Sequence, residues 1–336
     1  RQYDHEVRGK TVLKPIQGPI GKDVPGDSSV IKPVNDSWKG LALTSDVNPY
    51  LMEANPYHGT MSAVEEVCRN LASVGARIDS LADCLCFGNP RRPDIMGQFR
   101  ASCEALRDAA TAVDVPYVSG NVSLYNETQD GAIPPTPVLM GIGLVKDIRK
   151  CVTSDMKNEG TIWIIGKTKE EMGASLYYRT LGISCPNVPI TDFEVFMPRM
   201  EQLIQAIENG EVVACHDIST GGLALSIIEM CMSGIGAKIE LTSDLRADIE
   251  LFSETNGRWV VQVKPGFEKD FERRFDFAVK IGDVDNKIIF TKDGKEISNL
   301  DIEKLRNELD ERILHLEKIR ESLQAELSAR IIIQLE

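Results

Sequence analysis

The chain has 336 residues, 42 % apolar and 26 % charged, with a formal net charge of −13. Those proportions suit a globular chain of roughly two domains, and no run of about 18 apolar residues offers a membrane span. With no basic cluster larger than Arg91-Arg92 or Arg273-Arg274, the composition argues against nucleic acid as a partner, but leaves open a small phosphate ligand held by backbone N–H groups and a cation.

The chain starts Arg1-Gln2-Tyr3, without Met or a secretory pattern, which reads as a cut end. GLALTSD, 40–46, predicts a strand ending at Asp46, and VNPYLMEANPYHG after it reads as a loop. A helix is predicted from Thr60 to Gly75, capped by Thr60 or Ser62. Ser62 and Glu65 have the spacing of a capping box, and Val64, Cys68, Leu71 and Ala72 form its apolar stripe. A strand over about 77–87 ends at GNPRRPD. A helix follows over about 93–112, then a strand, VDVPYVSG, that stops at Gly120. NETQDGAIPPTP reads as a long loop, and VLMGIGLV, 138–145, as a strand. Strand and helix alternate, so an α/β sheet covered by helices on one face is expected.

A second unit starts near residue 150, giving domains 1–149 and 150–336. Its expected elements are a strand at 161–168, a short helix in EEMGASLYYRTLG, a helix at 196–209 and a strand at 211–217. A helix entered through Gly221-Gly222 follows, then a strand at 258–263, an amphipathic helix in GFEKDFERRF, and a charged helix from 301 to about 328. The eight cysteines are 68, 84, 86, 103, 151, 185, 215 and 231. None stands in a Cys-x-x-Cys pair, and Cys84 and Cys86 are too close for the usual zinc knuckle. Free buried thiols of a reducing cytoplasm are therefore expected rather than a zinc site.

Four stretches carry polar residues where a ligand could sit. In GNVS, Gly120 permits close backbone approach. Asn121 offers a neutral oxygen that magnesium accepts, and Ser123 lies two residues on, on the same face of an extended chain. An ordinary strand-ending turn explains the same residues. Asp83 sits inside the apolar run Leu81–Phe87, where a bare carboxylate is costly. It is either near a metal or accepting backbone hydrogen bonds. In HDISTGG, Gly221 and Gly222 open a helix whose N-terminus favours anions, or form a turn chosen for close packing. His216 reads as a structural residue before a base. Ser253, Glu254 and Asn256 either contact a ligand or form a polar turn.

Taken together, YDHEVRGKTVLKP, GLALTSD, CRNLASVGA, DCLCFGNP, VSGNVSLYNET, IPPTPVLMGIG, HDISTGGLALSIIEM and SETNGR occur in this order. The chain thereby resembles the carboxyl-terminal half of the synthetase subunit of phosphoribosylformylglycinamidine synthase, from Tyr3 to about residue 290. FGNP with SGNVSLYNET is specific to that family. HDISTGG is shared with aminoimidazole ribonucleotide synthetase, selenophosphate synthetase and thiamine monophosphate kinase.

The resemblance implies a two-domain, aminoimidazole-ribonucleotide-synthetase-like fold. Its N-terminal α/β sheet would join a counterpart sheet in a barrel, with a C-terminal α/β domain beside it. It implies ATP and Mg²⁺ as cofactors, formylglycinamide ribonucleotide as substrate, and a cytoplasmic location. The implied partners are the amino-terminal half or a second copy, a glutaminase subunit that supplies ammonia, and a small bridging subunit. Carried over by motif, Asp83 and Gly120 are ATP contacts, Asn121 a magnesium ligand and Ser123 a substrate contact. The corners at 83 and at 120–123 are expected to meet at one magnesium–triphosphate pocket.

The family's catalytic His motif and most of its magnesium carboxylates belong to the first half, so no catalytic residue is expected here. Thr220 stands where Asp is common, and SARIIIQLE lies outside the resemblance, its apolar run reading as a strand, a partner contact or a frame-shifted tail. One rival reading is a non-catalytic half, structural or regulatory, whose second nucleotide cleft would be lined by Asp46, Gly221, Gly222 and Glu254. The other is a stand-alone relative such as a selenophosphate synthetase or aminoimidazole ribonucleotide synthetase.

Overall fold

A computed structural model describes residues 8–275, 277–312 and 318. The first unit contains β1 (Thr11–Leu13), the small ribbon β2 (Ile16–Gln17) with β3 (Val24–Pro25), β4 (Ser29–Ile31) and β5 (Gly40–Asp46). Helices α1 (Pro49–Ala54) and α2 (Pro56–Ser73) follow, then β6 (Arg77–Cys86), α3 (Pro93–Val113), β7 (Tyr117–Ser123), the ribbon β8 (Glu127–Thr128) with β9 (Gly131–Ala132), and β10 (Thr136–Val145). The main sheet has the order β1-β4-β5-β10-β6-β7. Its pairs are antiparallel except β6–β7, which is parallel because α3 carries the chain back.

The stretch expected as a loop after β5 is helical. Asn48 and Asn55 each cap a helix with the side-chain oxygen, accepting from Leu51 N and His58 N, and each is followed by proline at the first helical position. Two Asn-Pro pairs are a helix-start signal, stronger than the capping box read at Ser62 and Glu65. Those two residues lie a turn and more inside α2 and are buried. Strand β7 also runs on through Gly120 to Ser123 instead of stopping at Gly120. The loop at 126–137 carries the β8–β9 ribbon.

The second unit holds β11 (Thr161–Ile165), α4 (Leu176–Thr180), α5 (Phe193–Glu208), β12 (Val212–Asp217), α6 (Gly222–Cys231), β13 (Gly236–Leu241) and α7 (Ala247–Phe252). It continues with β14 (Trp259–Val263), α8 (Glu268–Arg274), β15 (Ala278–Asp285), β16 (Ile288–Lys292) and β17 (Lys295–Leu300). The sheet order is β12-β14-β11-β15-β13-β16-β17. Strands β13 and β15 to β17 and helix α7 were not expected. Of the charged C-terminal helix, residues 302–312 are helical, and the SARIIIQLE tail lies outside the described residues. No described helix is long and apolar enough to cross a membrane.

Helix α2 joins the two units. Thirteen of its eighteen residues are buried, because it lies on β5 and β10 on one side and against α5 and β12 on the other. Glycine makes the first contact possible: a Cβ at Gly141 would overlap Val67 of α2. One apolar cluster therefore runs from Leu81 and Leu139 of the first sheet through Val67 and Leu71 to Leu203, Trp259 and Val261 of the second unit.

The described residues leave the opposite face of the first sheet partly exposed. Met140 is 38 % and Leu144 49 % exposed. Val138 and Ile142 on β10 and Leu41 and Leu43 on β5 are half-buried beside them. Alternation along the strands puts these residues on the face away from α2 and α3.

Candidate functional site

Two regions collect the polar residues. The first is the β6–β7 pair. The parallel register sets Asp83 beside Gly120, Cys84 beside Asn121 and Cys86 beside Ser123. The missing side chain at Gly120 is what Asp83 needs, since a Cβ there would stand 2.9 Å from the Asp83 Oδ2. Burial pushes the Asp83 carboxyl up, partly offset by the hydrogen bond from the Asn121 N–H. Its charge is felt by Cys103 on α3 and by Tyr117, which places it on the helix-covered face.

Asn121 and Ser123 alternate to the other face. Asn121 Nδ2 donates to Cys84 Sγ at 3.3 Å. Asn126 Nδ2 donates to Ser123 O at 2.8 Å and to Phe87 O at 3.0 Å, which holds the turn after β7. The two corners are thus adjacent in register, but their side chains leave opposite faces. A ligand that touched all four residues would have to wrap the free edge of β7, and a pocket on one face does not result. The strand runs on through the polar residues, and period-two alternation splits them.

The second region is the cleft where α2 meets the second unit. Arg69, 1 % exposed, pairs with Glu65 Oε2 at 2.5 Å, Asp217 Oδ2 at 3.1 Å and Glu66 Oε2 at 3.4 Å. Burial alone would lower the Arg69 pKa, but these carboxylates more than offset it and hold the guanidinium charged. Asp46 projects into the same cluster. Burial, and then the Asp217 charge, pushes it up to about 6. Burial pushes Glu65 up to about 7, against the pull of Arg69, and raises Glu66 well above the usual range, with Asp46 adding to it. Four carboxylates face one guanidinium.

Two further oxygens are left over. Asp46 Oδ2 and Asn70 Oδ1 are buried without a hydrogen-bond partner, and Asn70 lies one helical turn beyond Glu66. Unsatisfied buried oxygens of this kind cost free energy unless a cation or water meets them. Carboxylate and amide oxygens in surplus suit a hard divalent cation.

Glu254 closes the cleft. Its Oε1 accepts from Leu176 N at 2.8 Å and from Gly221 N at 2.9 Å. Gly221 and Gly222 both have positive φ, 81° and 65°, and a Cβ on Gly222 would meet Leu251 O at 2.6 Å. Ser219, Thr220, Asn256, Glu66 and Arg69 line the same narrow space. Of the four residues expected at a second cleft, Glu254 lines this space with Glu66 and Arg69 and holds the Gly221 N–H, while Asp46 meets it through Glu66 and Arg69. His216 is held at both ring nitrogens, by Asp27 at 2.6 Å and Glu229 at 3.1 Å. Burial would lower its pKa, but those carboxylates raise it well above the usual value. A ring bonded at both nitrogens has no free lone pair to act as a base, and the residue is structural.

Sequence reasoning missed Glu65, Glu66, Arg69 and Asn70. The signal was present: a helix otherwise apolar carries E-E-x-x-R-N, with charges on faces that α2 buries. Ser62 and Glu65 tie α2 to the SETNGR loop, as Asn256 Nδ2 donates to Ser62 Oγ at 2.8 Å and Gly257 N to Glu65 Oε1 at 3.1 Å.

Residues 25–145 match the AIR synthase related protein, N-terminal domain, and residues 173–291 its C-terminal domain. The chain belongs to the AIR synthase related family. It is 42 % identical over 314 residues to the phosphoribosylformylglycinamidine synthase subunit PurL of Thermococcus sibiricus, a match covering 91 % of the chain and 42 % of that subunit. The chain thus spans about two fifths of the length of that relative. The fold is shared with T. maritima PurL complexed with FGAR (TM-score 0.70, 16 % identity, 90 % of this chain and 50 % of that one). It is shared also with T. maritima PurL complexed with ATP (TM-score 0.53, 20 % identity, 82 % and 38 %).

Proposed function

We propose that the chain is the second half of an ATP-dependent carbon–nitrogen ligase of purine biosynthesis, with its domain division near residue 150. The reaction converts formylglycinamide ribonucleotide, ATP and ammonia to formylglycinamidine ribonucleotide, ADP and phosphate. The observation that carries this reading is the 42 % identity, along 91 % of the chain, to a subunit named for that synthase. In the reaction the substrate's amide oxygen takes the γ-phosphoryl group, ammonia adds at the same carbon, and that oxygen leaves in phosphate. Positioning and charge neutralisation do most of the work in such a transfer.

Asp83 and the Gly120 backbone would bind ATP, Asn121 would hold its magnesium, and Ser123 would meet the ribonucleotide. The catalytic groups would come from the amino-terminal half. The open apolar face of β5 and β10 supports pairing with the sheet of that half, or of a second copy, to close a barrel. Such closure would bring a partner's residues to the free edge of β7, where the two faces can be bridged. A glutaminase subunit and a small bridging subunit would complete the assembly, in the cytoplasm. Mixing this chain with the amino-terminal half and ammonium salts should give turnover that neither piece shows alone. No rescue at any stoichiometry would sink the proposal.

A second reading is favoured by the cleft. The oxygens of Asp46, Glu66, Asn70 and Asp217 would hold Mg²⁺ with a nucleotide that does not turn over, serving structure or regulation. ADP that survives purification and fails to exchange during catalysis supports this role; free exchange removes it.

A further inference from the structure

We propose that Cys84 and Cys86 form a dithiol site for a thiophilic ion, on the open face of the first sheet beside Asn121. Residues two apart on a strand share a face, and the two sulfurs lie 3.7 Å apart. A tetrahedral ion with metal–sulfur bonds of about 2.3 Å has sulfur–sulfur edges of about 3.8 Å. A disulfide needs the sulfurs at about 2.05 Å and favours Cα separations below about 6.8 Å. An extended strand puts residues two apart at about that limit. The spacing fits a bridging ion and disfavours a direct bond.

The surroundings agree. All eight cysteines are free, and Cys84 and Cys86 are half-buried where Cys68, Cys215 and Cys231 are buried. Across the sheet, Val138 stands opposite Cys84 and Thr136 opposite Cys86, so no ammonium or guanidinium on β10 competes for the sulfurs. The Asp83 carboxylate faces the other side. Burial and the neighbouring Cys84 raise the Cys86 thiol, so binding would release protons and strengthen with pH.

The site also touches the reading above. Asn121 donates its amide N–H to Cys84 Sγ, and that bond fixes which end of the amide faces outward. An ion on the two sulfurs takes the lone pair that the amide uses. If Asn121 holds magnesium, thiophiles should inhibit the ligase. This consequence rests on the proposed function; the binding itself does not.

The test uses phenylarsine oxide as the probe. Arsenic forms one bond to each sulfur, and the two thiol protons leave with the reagent's oxygen as water, without change of oxidation state. Intact-mass measurement should show one phenylarsenic per chain. Cys84→Ser and Cys86→Ser should each lose it, with retention weakened at least roughly a hundredfold, because the second bond closes within one molecule. Cys103→Ser, a control on α3, should keep it. A wild-type chain that takes up no arsenic, or single variants that keep it, would overturn the site. In the reconstituted enzyme, the reagent should stop turnover in wild type and spare Cys86→Ser. An adduct that leaves turnover untouched would overturn the coupling to Asn121. Should the paired halves give no turnover at all, the mass readout still decides the site.

Discussion

The two polar regions solve opposite problems. At the β6–β7 edge, small residues keep space open: Gly120 yields to the Asp83 carboxylate, and Asn121 and Ser123 stand at a free strand edge where water can satisfy them. In the cleft under α2, charge is buried first and balanced afterwards, with four carboxylates around Arg69 and two oxygens left over. An open edge tolerates substitution because water can satisfy its polar groups. A buried cluster is costly alone and is relieved by a cation. The lesson is that residues of similar polarity answer to different physics, and mutations should separate them.

The largest effect should come from Arg69. Arg69→Met removes the guanidinium paired with Glu65, Glu66 and Asp217 and leaves only the more distant Arg258 near Glu65. A loss of about 3–5 kcal/mol is expected, read as a lowered urea midpoint at about pH 9, above the values of Asp46 and Glu65. A loss under about 1 kcal/mol would mean that the cluster is already protonated or wet, and the contrast with the edge would fail.

Next comes the response to pH and magnesium. Asp46 at about 6 and Glu65 at about 7 lie above the unfolded carboxylate values of 3.8 and 4.5. The folded state therefore binds more protons than the unfolded state between pH 4 and 7, and stability falls as pH rises through that window. A cation would replace those protons. Magnesium should stabilise the folded chain more at pH 8 than at pH 5, by up to about 2.7 kcal/mol at a hundredfold excess over its dissociation constant. Asp46→Asn should shrink that difference. Equal magnesium effects at both pH values would remove the cation from the cleft.

How much of this was legible beforehand differs by region. The strand carrying Asp83, α3, α5 and the glycine entry to α6 follow from apolar periodicity and punctuation, whereas β7, expected to stop at Gly120, runs on to Ser123. The α2 start differs from the expectation because Asn-Pro, a loop signal by composition, here caps and opens a helix, while the local Ser62–Glu65 spacing mimics a cap. The sequence names residues around the second cleft, Asp46, Gly221, Gly222 and Glu254, but hides its charged centre because partners such as Glu65 with Gly257 or Arg69 with Asp217 lie 148 to 192 residues apart. The strands β13 and β15 to β17 carry Lys, Asp and Glu among their apolar residues, and tertiary packing decides there over propensity. Even at the edge, the residues were readable but their faces were not: one residue of extra strand sends Asn121 to the side away from Asp83.

Gly120→Ala should have an intermediate effect. Its Cβ would meet the Asp83 carboxylate at 2.9 Å, so either the carboxylate turns or the strand shifts, at about 1–2 kcal/mol. Combining it with Asp83→Ala should cost less than the sum of the two, since the clash partner is gone. Additive losses in thermal unfolding would show that the glycine serves the backbone or a ligand and not Asp83.

The smallest stability effect, and the sharpest contrast, belongs to Asn121→Ala. The side chain gives up one hydrogen bond, to a sulfur, at an exposed edge, so the change in unfolding free energy should stay within about 0.5 kcal/mol. Function should respond differently. In the enzyme assembled from both halves, the magnesium concentration needed for half-maximal turnover should rise by about tenfold, the loss of one ligand oxygen worth about 1.4 kcal/mol. Asn121→Asp, which keeps an oxygen in place, should recover part of it. A variant that loses stability as Arg69→Met does would put Asn121 in the packing; one that keeps its magnesium dependence would take it off the metal. Only a stable protein with a shifted requirement fits the proposed magnesium role of Asn121 at an edge that carries little of the packing.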